Sequence, residues 1–386
     1  MAERADFRRW NISRLSMTAW RNFSHETSLE LRGRTFFVGP NASGKSNILD
    51  ALRFMRDVAA MGLDDAVSLR GGMREVRSLH ARQFRGVRIS IDAGPRDQSS
   101  RWSYELHFRN HPQSHRPVVE RERIRLNGVP ILDRPDKKDE SDPERLTQTH
   151  LEQVSENQRF RPLAAFFGSI RYLHLVPQIV RERRRNGDYR DDPYGSDLLE
   201  HIADTNRRTR EARLRKIQAA LRAAVPHFER FDLERDTRGD WHLNATYDHW
   251  RAHDARQSEA ALSDGTLRLL GLFWALAEGG GPLLLEEPEL SLHDYLVSRL
   301  AGIMAGMHRK SGRQVLMTTH SAALLDDEGI DLQEVFLLNP GDEGTTIQRA
   351  ADIEEVRRLV EQNLTPGEAI MPRAAPKSAD QLAFDF

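Results

Sequence analysis

The chain contains no cysteine, which excludes disulfides and thiolate metal sites and makes a reducing cytoplasm its expected location. Long apolar runs are also missing. The longest, "LLGLFWALA" at 269–277, has nine residues, against the roughly 20 that span a bilayer. The N-terminal "MAERADFRRW" has no apolar signal core, so no membrane partner is expected. Nor is there an excess of one charge: 57 Lys+Arg against 58 Asp+Glu leaves a net charge of −1, and no global field draws the protein to nucleic acid. Lysine is scarce, standing only at 45, 137, 138, 216, 310 and 377, so arginine supplies 57 − 6 = 51 of the basic residues. A GC-rich coding sequence accounts for most of that bias. It still leaves Lys45 conspicuous, a compact ammonium kept where nearly every other cation is a guanidinium.

The 386 residues suffice for two or three modest cores or one large α/β domain with an insertion. "TSLEL" (27–31) and "RTFFV" (34–38) read as strands with a glycine turn between them, and "SNILDALRFMRDVA" carries Ile48, Leu49, Leu52 and Met55 at helical spacing. "GVRISIDAG" and "RWSYELHF" alternate apolar and polar residues, and Asn127-Gly128 between apolar runs signals a hairpin. These strands are expected to form an antiparallel extension of the first lobe. Residues 133–160 are almost entirely polar and read as a mobile loop or a short exposed helix. "SIRYLHLV" (169–176) reads as a strand and 196–229 as helices. From 261 to 350, helices alternate with the apolar strands "PLLLEE", "QVLMTTH" and "EVFLLN", which predicts a largely parallel sheet covered by helices.

Gly39-x-x-x-x-Gly44-Lys45-Ser46 follows a predicted strand and opens a predicted helix, the context a phosphate-binding loop needs. Glycines let backbone N–H groups turn inward around phosphates, and the helix N-terminus favours anions. Lys45 then reaches the β- and γ-phosphates and the Ser46 hydroxyl ligates Mg²⁺. About 240 residues later, "PLLLEEPELSLH" ends an apolar strand in Glu286 and Glu287. One acid there suits the Mg²⁺ shell and the other the attacking water; the plainer reading is two solvated glutamates at a surface strand end. "QVLMTTHS" ends in His320, placed to sense the γ-phosphate, or an ordinary strand-end histidine. Ser263-Asp264-Gly265 precedes a long apolar helix. It is either a second anion site or a plain N-cap.

In this order, "GPNASGKSN", "LSDGT", "LLLEEPELSLH" and "TTHS" resemble the ABC-type ATPases of the SMC/RecF branch. The pattern is most similar to the small ATPases of the overcoming-lysogenization-defect class found in bacterial anti-phage systems. The resemblance implies an α/β, ABC-type P-loop ATPase head, a mixed sheet with helices and an antiparallel β extension, carrying an inserted helical lobe. It divides the chain into an N-terminal lobe (1–96), an insert (97–260), a C-terminal lobe (261–355) and a flexible tail (356–386). By the same resemblance Gly39, Asn41, Ala42, Ser43, Gly44, Lys45, Ser46 and Asn47 form the Walker A loop, and Arg21 and Asn22 contact nucleotide. Ser263 and Gly265 form the signature that touches a partner subunit's γ-phosphate, Glu286 is the Walker B acid, Glu287 the catalytic base and His320 the switch histidine. Gln178 is assigned as the Q-loop residue near Mg²⁺, with Gln83 the weaker candidate. Glutamate replaces the usual Walker B aspartate, and Thr266 stands where transporters carry glutamine.

The implied cofactors are ATP and Mg²⁺, and the implied mechanism is head-to-tail homodimerisation on ATP with release on hydrolysis. The larger relatives carry a Toprim nuclease after the ATPase lobes; about 35 residues follow "TIQRA" here, so a nuclease or toxin effector is expected in trans. Phage defence is the expected setting, with RecF-like repair and a nucleotide-gated scaffold of negligible turnover as alternatives. An importer energy subunit fits poorly. Ten arginines and one lysine between 181 and 216 form either a DNA-facing stripe or a solvated helix face. "HPQSH" and "HWRAH" offer paired histidines without further ligands and read as surface residues. "QLAFDF" at the end resembles peptides that bind the replication sliding clamp; docking on its own fold is the alternative.

Overall fold

The computed structural model describes residues 7–82, 84–97, 99–182, 192–248 and 255–375. The chain opens with β1 (Trp10–Thr18) and β2 (Thr27–Glu30), followed by β3 (Arg34–Val38) and the long helix α1 (Lys45–Met61). Short helices α2 (Leu63–Ser68) and α3 (Met73–Val76) lead into β4 (Gly86–Pro95), β5 (Trp102–Asn110), β6 (Pro117–Leu126) and β7 (Val129–Arg134). Helices α4 (Lys137–Ser141) and α5 (Arg161–Gly168) precede β8 (Arg171–Leu173), and α6 (Pro177–Arg181), α7 (Leu198–Asp204) and α8 (Arg207–Ala224) follow it. Next come β9 (Phe228–Arg235), β10 (Trp241–Tyr247) and β11 (Ala255–Ser258), then α9 (Asp264–Glu278), β12 (Leu283–Glu286), α10 (Asp294–Ser311) and β13 (Val315–Thr319). The last elements are α11 (Ala322–Leu325), β14 (Val335–Gly341), β15 (Gly344–Arg349), α12 (Glu354–Glu361) and α13 (Pro366–Ala374).

Three sheets result. The central one runs β15-β14-β3-β13-β12-β8, with every pair parallel except β14/β15. Its middle strands β3 and β13 are buried at every residue, as expected of parallel strands covered on both faces. Alternation divides β3 between two cores: Phe37 joins the cluster beneath α1, while Phe36 and Val38 join the cluster beneath α10. The second sheet, β2-β1-β4-β5-β6-β7, is antiparallel and packs Ile89, Ile91, Tyr104, Leu106 and Phe108 against the α1 side. A third sheet, β11-β10-β9, shares a core with α7, α8 and α9. The buried Gln314 amide ties the first two sheets: it donates to Ile12 O and Arg32 O at 2.8 Å each and accepts from Ile12 N at 2.8 Å.

Several expectations change. β2 and β3, read as neighbours across a turn, lie in different sheets: β2 pairs with β1, and β3 lies between β13 and β14. The polar stretch 133–160 is not a mobile loop. Arg134 is fully buried and bonds Asp139 at 2.8 and 2.9 Å and Glu122 at 3.1 Å. A polar composition can be internalised when charges find partners of opposite sign. The region 97–260 is spread over three places, since β5–β7 complete the antiparallel sheet and β8 edges the central one. Nor is the start of the tail free: α13 begins with a Thr365–Glu368 capping box and buries Ala369, Ile370 and Ala374. "QLAFDF", His249, His253 and Gln83 lie outside the described residues.

Candidate active site

Open α/β sheets bind ligands outside the carboxyl ends of their strands, and here those ends gather the residues in question. The loop after β3 reaches α1 through Ala42 (φ 61°) and Gly44 (φ 93°). Glycine is required at 44: a Cβ there would stand 2.0 Å from Asn22 Nδ2 in a backbone region L-residues avoid. A Cβ on Gly39 would stand 2.7 Å from Leu338 O and 2.8 Å from Ser43 Oγ. The loop is clamped from outside. Asn22 Nδ2 donates to Ser43 O (3.0 Å) and to Thr345 Oγ1 (2.6 Å), Thr345 Oγ1 donates to Ser43 O (2.9 Å), and Asn47 Nδ2 donates to Asn22 Oδ1 (2.8 Å). Trp20 Nε1 donates to Asn47 O at 2.7 Å. Lys45 is buried and donates to the carbonyls of Gly39 (3.0 Å) and Pro40 (2.9 Å). Burial lowers its pKa, offset in part by Glu287, Glu286 and Glu289.

β12 delivers Glu286 opposite this loop. Both its oxygens are engaged, Oε1 by the Ser46 hydroxyl and Oε2 by the Tyr172 hydroxyl from β8. Burial and the Glu286 charge raise the Tyr172 pKa, so the phenol remains a donor. Glu287 turns out of the strand with φ 43°, its N–H held by Thr318 at 3.2 Å. Its carboxylate meets His320 Nε2 at 2.9 Å. The hydrogen bond from His320 depresses the Glu287 pKa despite its partial burial. Glu289, two residues on, is buried and accepts from Thr319 Oγ1 (2.6 Å) and His320 N (2.9 Å).

The residues expected to form the signature lie elsewhere. Ser263 is exposed and caps α9, accepting from Thr266 N at 3.2 Å. Gly265 lets α9 approach the loop after β12, where a Cβ would stand 2.9 Å from Ser291 O. Asp264 is held by Arg181 (2.6 Å) and by Gln178 Nε2 (3.3 Å). Gln178 therefore bonds the signature loop and not the Ser46–Glu286 pair where a metal role was expected. Arg21, expected on nucleotide, pairs with Asp50 at 2.7 Å. Asp50 is pushed up by burial but held low by Arg70, Arg21 and Arg53.

A protein family described as an AAA domain, putative AbiEii toxin of a type IV toxin–antitoxin system, matches residues 34–326, and the P-loop-containing region of an AAA domain matches 12–55. The chain belongs to the first family. This ATPase is also 42% identical over 65 residues to the chromosome partition protein Smc of Bacillus subtilis strain 168, a match covering 17% of this chain and 5% of that protein. The chain thus spans about a twentieth of the length of this curated relative. Its fold is that of an SMC head. A solved SMC head bound to the C-terminal winged-helix domain of ScpA superposes with a TM-score of 0.56 at 15% identity, covering 89% of this chain and 99% of the other. The Smc head with extended coiled coil from Pyrococcus furiosus gives 0.54 at 14%, covering 92% and 99%.

The residues fit a magnesium nucleotide. Gly39 and Gly44 let the loop pack against Leu338 and Asn22 where a Cβ would clash, Lys45 lies along the loop on the carbonyls of Gly39 and Pro40, and Ser46 with Glu286 offers two oxygens. Mg²⁺ needs only one or two protein oxygens beside phosphates, so the absence of any cluster of three metal-ligating side chains among the described residues is no obstacle. The P-loop ATPase contains site residues that sequence reasoning did not find: Tyr172, Glu289, Thr345 and Asp50. Tyr172 lies 114 positions from Glu286 and Thr345 302 positions from Ser43, and no local pattern marks either. No described helix is long and apolar enough to cross a membrane.

Proposed function

We propose that this chain is a magnesium-dependent ATP hydrolase whose two copies close head to tail over ATP and thereby switch an effector. One observation carries the reading. Lys45, Glu286, Glu287 and His320 meet in one copy, whereas Ser263 is exposed and Gly265 packs on Ser291 with no bond to the phosphate loop among the described residues. Half of a site is present, and a second copy would bring the other half. Lys45 exchanges the Gly39 and Pro40 carbonyls for phosphate oxygens, and the α1 N-terminus adds its dipole. Glu287, held ionised and oriented by His320, accepts the proton of the attacking water. Ser46 and Glu286 would hold magnesium, which would supply charge neutralisation for the leaving group.

An effector nuclease or toxin acting in trans, in anti-phage defence and in the cytoplasm, is the setting proposed. The toxin–antitoxin description of the matched family supports it. A partner protein is further supported by the SMC head solved with ScpA. DNA is proposed as a ligand of the basic face of α8, where Arg207, Arg208, Arg215 and Lys216 are exposed; Arg181, Arg210 and Arg213 are half-buried and bond within the chain, and the arginines between 183 and 190 lie outside the described residues. Light scattering on Glu287→Gln tests the dimer. ATP should double the mass and ADP should not, and an unchanged mass at full ATP occupancy would refute the head-to-tail switch.

A further inference from the structure

Three parallel strands end in residues already assigned: β3 in the phosphate loop, β12 in Glu286 and Glu287, and β13 in His320. A fourth strand, β8, ends on the same side. Its parallel register with β12 pairs Leu173 with Leu285, so the next residue, His174, stands level with Glu286. Side chains two apart along a strand share a face, and Tyr172, two residues earlier, reaches the Glu286 carboxylate. His174 therefore lies on the Glu286-facing side of β8, one strand repeat further toward the crevice. Its backbone N–H is used, donating to Pro193 O at 2.8 Å. Its imidazole is not: Nδ1 is buried and has no hydrogen-bond partner among the described residues, the ring touching Tyr194 edge to face at 5.9 Å. A buried polar atom without a partner calls for one, a water, an ion or a ligand.

We infer that His174 is a further nucleotide-contacting residue, its imidazole hydrogen-bonding the terminal phosphate of a bound nucleoside triphosphate. This rests on the ATPase reading above. It gives His174, at the end of β8, the position near the nucleotide that the resemblance implied for Gln178, whose amide is instead turned to Asp264. Placed beside Glu286 and Glu287, it distinguishes a triphosphate from a diphosphate before hydrolysis.

Calorimetric binding of Mg²⁺ with ADP, and of Mg²⁺ with the non-hydrolysable analogue adenylyl imidodiphosphate, separates the cases for wild type, His174→Ala and His174→Gln. The alanine variant should bind the triphosphate analogue about tenfold more weakly, the value of one hydrogen bond to a charged group, and ADP within about twofold of wild type. Glutamine, whose amide can donate from a similar position, should restore the analogue's affinity to within about threefold. Equal losses for both nucleotides, a glutamine variant as weak as alanine, or an alanine variant that matches wild type would each overturn the assignment. Wild-type protein that bound neither nucleotide would overturn the ATPase reading itself, and the assignment with it.

Discussion

Replacing Glu289 with leucine should release His320. The carboxylate sits nine-tenths buried beneath His320 and holds it by two bonds, from Thr319 Oγ1 at 2.6 Å and from the His320 amide at 2.9 Å. Each such bond contributes about 1 kcal/mol net, and a buried donor left unpaired costs about as much again, so the substitution should cost about 2–4 kcal/mol locally. Hydrogen exchange at the His320 amide reads that cost directly, because protection scales with the free energy of local opening. A loss of about 2 kcal/mol speeds exchange about 30-fold. Glutamine behaves differently. Burial raises the Glu289 pKa, and the bonds from Thr319 and His320 lower it only in part. The folded protein therefore binds this proton more tightly than the unfolded chain does. That stabilisation is complete below the ordinary glutamate value of 4.5 and is lost as pH rises through the higher folded value. Glu289→Gln keeps one acceptor and cannot ionise, so near neutral pH it should protect the His320 amide at least as well as wild type. Unchanged exchange in the leucine variant, or a glutamine variant as unprotected as leucine, would refute the reasoning.

Two further substitutions probe the supports of the phosphate loop. Gly44→Ala forces a Cβ to within 2.0 Å of Asn22 Nδ2 at φ 93°. The backbone strain alone costs about 1–2 kcal/mol, and displacing Asn22 also frees Ser43 O and Asn47, so ATP affinity measured by calorimetry should fall at least about tenfold. Arg70→Ala removes a guanidinium that is 4% exposed and bonds both Asp50 (2.8 Å) and Asp57 (2.9 Å) on α1. Each carboxylate keeps a second guanidinium, Arg21 on Asp50 at 2.7 Å and Arg56 on Asp57 at 2.8 Å, so the loss is that of the charged hydrogen bonds alone, about 1.5–3 kcal/mol, and the urea midpoint should drop. Asp57→Asn in the same background should recover part of it, and a purely additive double variant would argue against the pairing.

The parts of this molecule that its sequence displays are those whose signal is local. The phosphate loop announces itself because glycine, lysine and serine must stand at fixed spacing between a strand and a helix, and β3, β12 and β13 because strands covered on both faces carry apolar runs, Phe36–Val38, Leu283–Leu285 and Val315–Met317. Asn127-Gly128 specifies its hairpin for the same reason, both residues taking positive φ (51° and 82°). What escapes is polar pairing over distance. Arg134, Glu122 and Asp139 look like solvent-facing charges until the fold closes around them. Gln314, which ties two sheets through Ile12 across 302 positions, looks like any strand residue. The central site shows the same division. Lys45, Ser46, Glu286, Glu287 and His320 are legible because chemistry constrains their types. Tyr172, Thr345 and Glu289, which hold them in position, are not, since any donor or acceptor of suitable reach could have filled those places. Ser263 marks the limit from the other side: it does cap α9, as the plainer reading had it, yet a capping serine at an exposed helix N-terminus has the same geometry as half an anion site. Local sequence cannot separate the two, because in the proposed dimer the atoms that would decide between them would belong to another molecule.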